Sequence, residues 1–290
     1  MIRVDAHHHL WDPTRFRYPW LTDELAAINR PFTAGDLQAT TMAAGIDATI
    51  AVQTRAAIDE TIEFLQSPAP VAGVVGWVDL TAPDVGDVIE SLRNGPGGQR
   101  LVGIRHQVHD EADANWLDRP DVRRGIHAVV GAGLPFDLLV RTRELPAATR
   151  LARDIPQGTF VLDHLAKPPL TQASDSAEMA AWSSAVRDLA ACPTVVAKLS
   201  GLVTEADWNT WTIEALRPAV LVALDAFGPD RLMFGSDWPV CLVAASYGEV
   251  LDAAASLLMQ LSTSERAAVF ATNAIDTYHL DLPTPISKHS

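Results

Sequence analysis

Residues 2–11 read Ile2-Arg3-Val4-Asp5-Ala6-His7-His8-His9-Leu10-Trp11. Apolar residues frame the three histidines on both sides, and the run has strand character. In an extended strand, alternate side chains share a face. His7 and His9 then point one way, with Asp5 one step behind on the same face, while His8 points the other way into packing. The stretch is therefore read as Asp-x-His-x-His rather than as three equivalent histidines. Two imidazoles side by side at a strand end suit a metal ion or an oxyanion. A polar strand end with solvated histidines is the plainer alternative, and this stretch alone leaves both open.

Working outward, similar short apolar runs recur at 47–53, 71–79, 101–107, 134–140, 159–166, 194–202 and 231–239. Most are rich in β-branched residues and nearly continuous in apolar character, as strands buried on both faces of a parallel sheet are. The stretches between them look helical. Val250, Leu251, Ala254, Leu257, Leu258 and Leu261 form an i, i+3, i+4 stripe, Ser262 and Glu265 form a capping-box pattern, and Ile58–Gln66 is a shorter helical segment. Eight strands alternating with helices is the count of a (β/α)8 barrel. A doubly wound sheet is the competing architecture, but no Gly-rich phosphate turn follows the first strand. Asn94-Gly-Pro-Gly-Gly98 precedes a strand and reads as a turn. Residues 1–280 are expected to form one barrel, with 281–290 a loosely attached C-terminal tail.

The bulk composition excludes several classes. The chain has 290 residues, 48% hydrophobic and 20% charged, with 36 acidic against 22 basic residues and a net charge of −14. That balance disfavours nucleic acid and anionic membrane surfaces as partners. Cys192 and Cys241 form no metal-binding spacing and read as free thiols in a reducing compartment. The first dozen residues lack a signal-peptide pattern, and no run reaches the length of a bilayer span. A cytoplasmic protein is expected.

In such a barrel the C-terminal ends of the strands carry the chemistry. Here they carry His7 and His9; Gln53, followed by Arg55; Trp77 and Asp79; Arg105, His106 and Gln107; Asp163 and His164, with Lys167 nearby; Lys198 and Ser200; and Asp237 and Trp238. Strand ends become polar as they meet water, which accounts for one or two of these. It accounts less well for four histidines, for Asp237 inside Phe-Gly-Ser-Asp-Trp-Pro, or for Lys198 among Val195, Val196, Ala197 and Leu199, where an unpaired ammonium is costly. His109 and His127 are assigned to the surface. Asp163 is a possible partner for a histidine, but its alternation relative to His164 points it to the opposite face.

Taken together, these residues resemble the amidohydrolase superfamily: Asp-x-His-x-His on the first strand, a histidine ending a middle strand, and an aspartate on the eighth. The stretches DAHHHLWD, GWVDL, GIRHQVHDE, DHLAKP, AKLSGLVTEADW, RLMFGSDWPVC and TNAIDTYHL are similar to the amidohydrolase-2, lactonase-type branch, that of the L-fucono- and L-rhamnono-lactonases. The resemblance implies Asp237 as the general base for an attacking water. It implies His7 and His9 as metal ligands or carbonyl-polarising groups, completed by His164. Arg105, His106 and Lys198 would meet substrate hydroxyls or the oxyanion, and Trp11 and Trp77 would stack on a sugar ring. Gln53, Gln107 and Trp238 complete the expected substrate-binding set.

One departure from the family pattern matters. The carboxylated lysine or glutamate that bridges two metals on the fourth strand is missing, as is one histidine. A binuclear centre is not expected. The resemblance leaves a single Zn²⁺ on His7, His9 and Asp237, with or without His164, or a metal-independent site; no organic cofactor is implied. The expected activity is hydrolysis of a sugar lactone such as L-fucono-1,5-lactone to the aldonic acid. Decarboxylation of an aromatic acid, hydrolysis of an acidic lactone, and a non-catalytic sugar- or metal-binding barrel are the alternatives. The sequence leaves homo-oligomerisation open.

Overall fold

The computed structural model describes residues 2–282; most of the expected tail, from residue 283 on, lies outside them. Eight parallel strands run in sequence order: β1 (Val4–His8), β2 (Ala48–Val52), β3 (Val71–Gly76), β4 (Leu101–His106), β5 (Phe136–Leu138), β6 (Phe160–Leu162), β7 (Val195–Leu199) and β8 (Leu232–Phe234). Each pairs in parallel with the next. The barrel closes where the His9 amide donates to the Trp238 carbonyl at 2.7 Å and the Asp237 amide to the His7 carbonyl at 2.8 Å. All eight expected strands are present, each shorter than its apolar run, and the residues just past their C-terminal ends turn out of the sheet to build the site.

Between the strands run α1 (Ala34–Ala44), α2 (Ile58–Leu65), α3 (Val85–Asn94), α4 (Pro120–Gly131), α5 (Leu145–Asp154), α6 (Ala177–Ala190), the short α7 (Leu202–Glu205) and α8 (Ile213–Phe227). After β8 come α9 (Tyr247–Leu257), α10 (Thr263–Ala267) and α11 (Asn273–Tyr278). Their starts are set by local chemistry. Thr33 with Asp36, Ser246 with Glu249, and Ser262 with Glu265 each form a reciprocal capping box, which satisfies amides that have no partner inside the helix.

Two apolar layers hold the barrel. The larger fills the space between strands and helices. The smaller joins Val4, Ala6, Ile50, Val52, Val75, Val102, Val161 and Met233 from the strands to Ala271, Ala274, Tyr278 and Leu280 from the end of the chain. The last helix therefore seals the floor of the barrel. Burying this much apolar surface, at about 25 cal/mol per Å², lets the chain tolerate the charged groups enclosed above the floor.

The first strand departs from simple alternation. Its register with β2 shifts between Asp5 and His8, so the chain carries one extra residue there. Val4 and Ala6 join the floor, whereas the Asp5 carboxylate faces away from His7 and His9. It accepts from the Ser236 amide at 2.9 Å, the Ser236 hydroxyl at 2.6 Å and the Tyr247 hydroxyl at 2.9 Å. The expectation that Asp5 shares their face is thus corrected by the bulge. His8 faces outward into packing as expected and is fully buried.

Candidate active site

The strand ends converge on a cavity of about 410 Å³ lined by His9, Arg105, Gln107, His164, Lys167 and Asp237, among others. At its base the Nε2 atoms of His7 and His9 lie 3.2 Å apart. Asp237 Oδ1 is 3.4 Å from His9 Nε2 and 3.9 Å from both His7 Nε2 and His164 Nε2. The opposite nitrogens are committed elsewhere: His9 Nδ1 to the Val52 carbonyl at 2.8 Å, and His164 Nδ1 to the Ser200 hydroxyl at 2.9 Å. His7 Nδ1 lies 3.3 Å from Asp163 Oδ1. The same nitrogen is 3.3 Å from Lys198 Nζ, and His7 Nε2 is 3.3 Å from Arg105 Nη1. In the tautomer with protons on the Nδ1 atoms, the Nε2 lone pairs face one another.

That donor set fits one metal ion. Two ligands about 2.05 Å from a tetrahedral zinc stand about 3.3 Å apart, close to the separations within the His7, His9 and Asp237 group. Lone pairs this close repel unless a cation lies between them. A second possible group, His7, Asp163 and His164, shares His7 with the first, and its Asp163 is already spent on two cations. One ion therefore fits, and two do not.

Electrostatics keep the site in a binding-competent form. Burial pushes His7 well below its ordinary value and His164 down to about 4, against the pull of neighbouring carboxylates, so both rings are neutral near pH 7. Burial works against the charge on Asp237, yet its carboxyl is held below the ordinary range by His164 and His9 once acid puts a proton on those rings. It is an ionised acceptor at the end of the cavity.

The local backbone is unusual. His164, Leu165, Ala166 and Lys167 all have φ between 51° and 58°, and Asp237 has φ of 56°. Each left-handed non-glycine residue costs about 1–2 kcal/mol. The turn ends strand alternation at Leu162, so Asp163 and His164 both enter the site. Trp182, fully buried, anchors it by donating from Nε1 to the Leu165 carbonyl at 2.7 Å. Gly201 (φ 63°) leaves the room it needs, since a Cβ there would stand 2.6 Å from His164 Nδ1.

Asp163 is the chief correction to the sequence reading. It lies beneath His7, with Arg105 Nη1 at 2.9 Å and Lys198 Nζ at 3.0 Å. Lys198 is wholly enclosed and also meets Asp137 Oδ2 at 2.5 Å; it stands under the site rather than in the cavity where substrate hydroxyls would reach it. Gln53 is likewise occupied, accepting from Arg105 Nε at 2.9 Å and donating to the Arg55 carbonyl at 3.0 Å. Arg105 and Gln107 line the cavity as expected.

The expected aromatic contacts are redistributed. Trp77 Nε1 donates to His106 Nδ1 at 3.1 Å, and His106 stacks on Trp116 and meets Glu111 Oε1 at 2.7 Å. Trp11 is buried against Trp20 and Phe32, and Trp238 against Phe32. None of Trp11, Trp77, His106 or Trp238 lines the cavity; Trp20 and Trp208 do. Both indole N–H groups donate to backbone carbonyls. His109, assigned to the surface, lines the cavity beside Asp110, while His127 is exposed as expected. Trp20, Trp208 and His109 all sit on loops, where strand-end reasoning does not reach.

Comparison with known proteins agrees with this geometry. Residues 4–280 match the family described as amidohydrolase. The chain belongs to that family. It is 40% identical to an L-fucono-1,5-lactonase of Burkholderia multivorans, over 97% of each chain. It is 37% identical to an L-fucono-1,5-lactonase of Burkholderia ambifaria, over 98% of this chain and 97% of that one. A crystal structure of an amidohydrolase from Burkholderia multivorans with bound zinc superposes with a TM-score of 0.90 at 39% identity, covering 97% of this chain and all of that one. Among the described residues, no helix is long and apolar enough to cross a membrane.

Proposed function

We propose that this amidohydrolase opens a sugar lactone, L-fucono-1,5-lactone or a close relative, to the aldonic acid. One observation carries the reading: the cavity ends at an ionised carboxylate beside three imidazole nitrogens, and each cation that lines it lies within 4 Å of a carboxylate. Its cations already have carboxylate partners, Arg105 with Asp163 at 2.9 Å, Lys167 with Glu205 at 2.7 Å and Arg141 with Glu205 at 3.9 Å. An acidic lactone or aromatic acid would want an unpaired one; a neutral lactone does not. The flat faces of Trp20 and Trp208 suit the C–H face of a sugar ring. Half-buried Leu25, Val240 and Val243 suit the methyl group of a 6-deoxy sugar.

In this reading Asp237 takes a proton from the attacking water as the new C–O bond forms at the lactone carbonyl. Arg105, fixed by Gln53 and Asp163, faces the charge that develops on the carbonyl oxygen. The bond from the carbonyl carbon to the ring oxygen then breaks, and Asp237 returns the proton to the departing alkoxide. His7, His9 and Asp237 would hold the Zn²⁺, with His164 at the edge; when bound, the ion supplies Lewis acidity toward water or the carbonyl. The buried, unpaired Cys192 and Cys241 support a cytoplasmic setting.

The test is a pH-indicator assay on fresh L-fucono-, L-rhamnono-, L-galactono- and D-arabinono-lactones, before and after chelation and zinc return. Rapid acid release from L-fucono-1,5-lactone is expected. The L-galactono compound, which carries a hydroxymethyl in place of the methyl, should be about ten-fold slower, since an apolar pocket rejects an added hydroxyl only modestly. Asp237→Asn should lower kcat by about 10²–10⁴-fold. No acid release from any of the four lactones would overturn the reading.

A further inference from the structure

Beneath His7 a chain of buried polar groups runs down to the floor of the barrel. Tyr278, on α11, donates its hydroxyl to both oxygens of Asp137, at 2.9 and 2.8 Å. Asp137 Oδ2 accepts from Lys198 Nζ at 2.5 Å. The same ammonium lies 3.0 Å from Asp163 Oδ1 and 3.3 Å from His7 Nδ1. Tyr278, Asp137, Lys198, Asp163 and His7 are all at most 1% exposed. Burial, with Asp137 alongside, pushes the Tyr278 phenol well above its ordinary range, so it stays a donor.

The proton on His7 is contested. Its Nδ1 faces an acceptor, Asp163 Oδ1, and a donor, Lys198 Nζ, each at 3.3 Å. If Nδ1–H donates to Asp163, the Nε2 lone pair faces His9, Asp237 and the guanidinium of Arg105, whose Nη1 stands 3.3 Å away as a donor. If Lys198 donates to Nδ1, the ring's proton must sit on Nε2, and His7 is lost as a ligand. Arg105 Nη1, as a donor at Nε2, favours the first arrangement, and the second is resisted as firmly as carboxylates hold the ammonium away from Nδ1. Asp137 pulls it toward the floor, and the Tyr278 hydroxyl fixes the Asp137 carboxylate in the orientation that does so.

We infer that Tyr278, acting through Asp137 and Lys198, is a positioning residue that keeps the proton of His7 on Nδ1 and its Nε2 free for a metal ion. The inference rests on reading the imidazole cluster as a metal site. It assigns a function to the last helix of the barrel, whose residues do not reach the cavity.

Tyr278→Phe tests it on the full chain. The ring stays under Lys198, whose Nζ is 5.3 Å from its centroid, and only the hydroxyl is lost. Leu280→Ala, in the same floor layer, is the control for loosened packing. Zinc affinity is measured by competition with a chromophoric chelator. The His7 tautomer is read from ¹H–¹⁵N spectra of the chelated protein, assigned by comparison with His7→Gln. We expect wild type to carry Nδ1–H, Tyr278→Phe to show Nε2–H and lose about ten-fold in zinc affinity, as loss of a group supporting a ligand does, and Leu280→Ala to lose only thermal stability. An unchanged tautomer in Tyr278→Phe, an Nε2–H tautomer in wild type, or an equal zinc loss in Leu280→Ala would each overturn the inference. A wild-type chain that takes up no zinc would instead overturn the metal reading, and neither readout depends on the lactone.

Discussion

The ends of β1 and β6 deliver histidines to the same carboxylate by different means. On β1 alternation fails at Asp5, where the bulge lies, but holds from His7 on, so His7 and His9 bracket an outward His8 and alternation picks the right pair. On β6 the chain leaves the sheet after Leu162 and makes four consecutive left-handed residues. Adjacent Asp163 and His164 then enter the site together, which no strand permits. The difference teaches that a period-two reading holds only while the backbone is extended. The side chains nearest the chemistry are those where it stops being so.

The comparison can be broken most sharply through the metal. If β1 supplies the principal ligands, His9→Gln should reduce zinc affinity by more than 100-fold. His164→Gln, which removes a nitrogen 3.9 Å from Asp237, should cost about ten-fold, within the range for supporting groups. Chelator competition on both variants checks this, and equal losses would erase the distinction between the two strands.

His8 offers a second test, because its outward face leaves it buried rather than liganding. Burial, with His9 adjacent, pushes His8 down to about 3. The unfolded chain takes up a proton near pH 6.5, whereas the folded chain resists doing so until about pH 3. Stability from this group is therefore full above about pH 6.5 and falls as the pH drops toward 3, by about 2 kcal/mol at pH 5. Urea unfolding of chelated protein at pH 7 and pH 5 should show a smaller loss for His8→Gln than for wild type.

The smallest effect concerns the left-handed turn itself. Glycine in a strand costs roughly 0.5–1 kcal/mol relative to alanine, and Ala197→Gly in β7 should cost that or more. Ala166 has φ of 58°, where removing the Cβ relieves strain. Ala166→Gly should leave the unfolding free energy within about 0.5 kcal/mol of wild type, its lost methyl burial offset by that relief. Parallel denaturation curves for the two variants measure the difference.

The same contrast explains what could be read from the residues alone. All eight strands were legible, because burial on both faces leaves continuous apolar runs. His7, His9, His164, Arg105 and Asp237 were legible as polar strand ends. Asp5 was misassigned because a bulge leaves no mark in composition, and Asp163 because φ is not written in the sequence. Gln53, Trp77, His106, Trp11 and Trp238 sit near the cavity but spend their polar atoms or faces on neighbours. Whether a strand-end side chain meets a ligand or a neighbour depends on loops far off in the chain. The pairing of Tyr278 with Asp137, 141 positions apart, had no local signal at all.

The sealed floor also bears on how the protein comes to be made. A chain leaving the ribosome has all eight strands in hand by Phe234, yet the group that braces Asp137 arrives with Tyr278, some forty residues later. The last helix therefore does two jobs at once, excluding solvent from the interior and fixing the charges beneath the site.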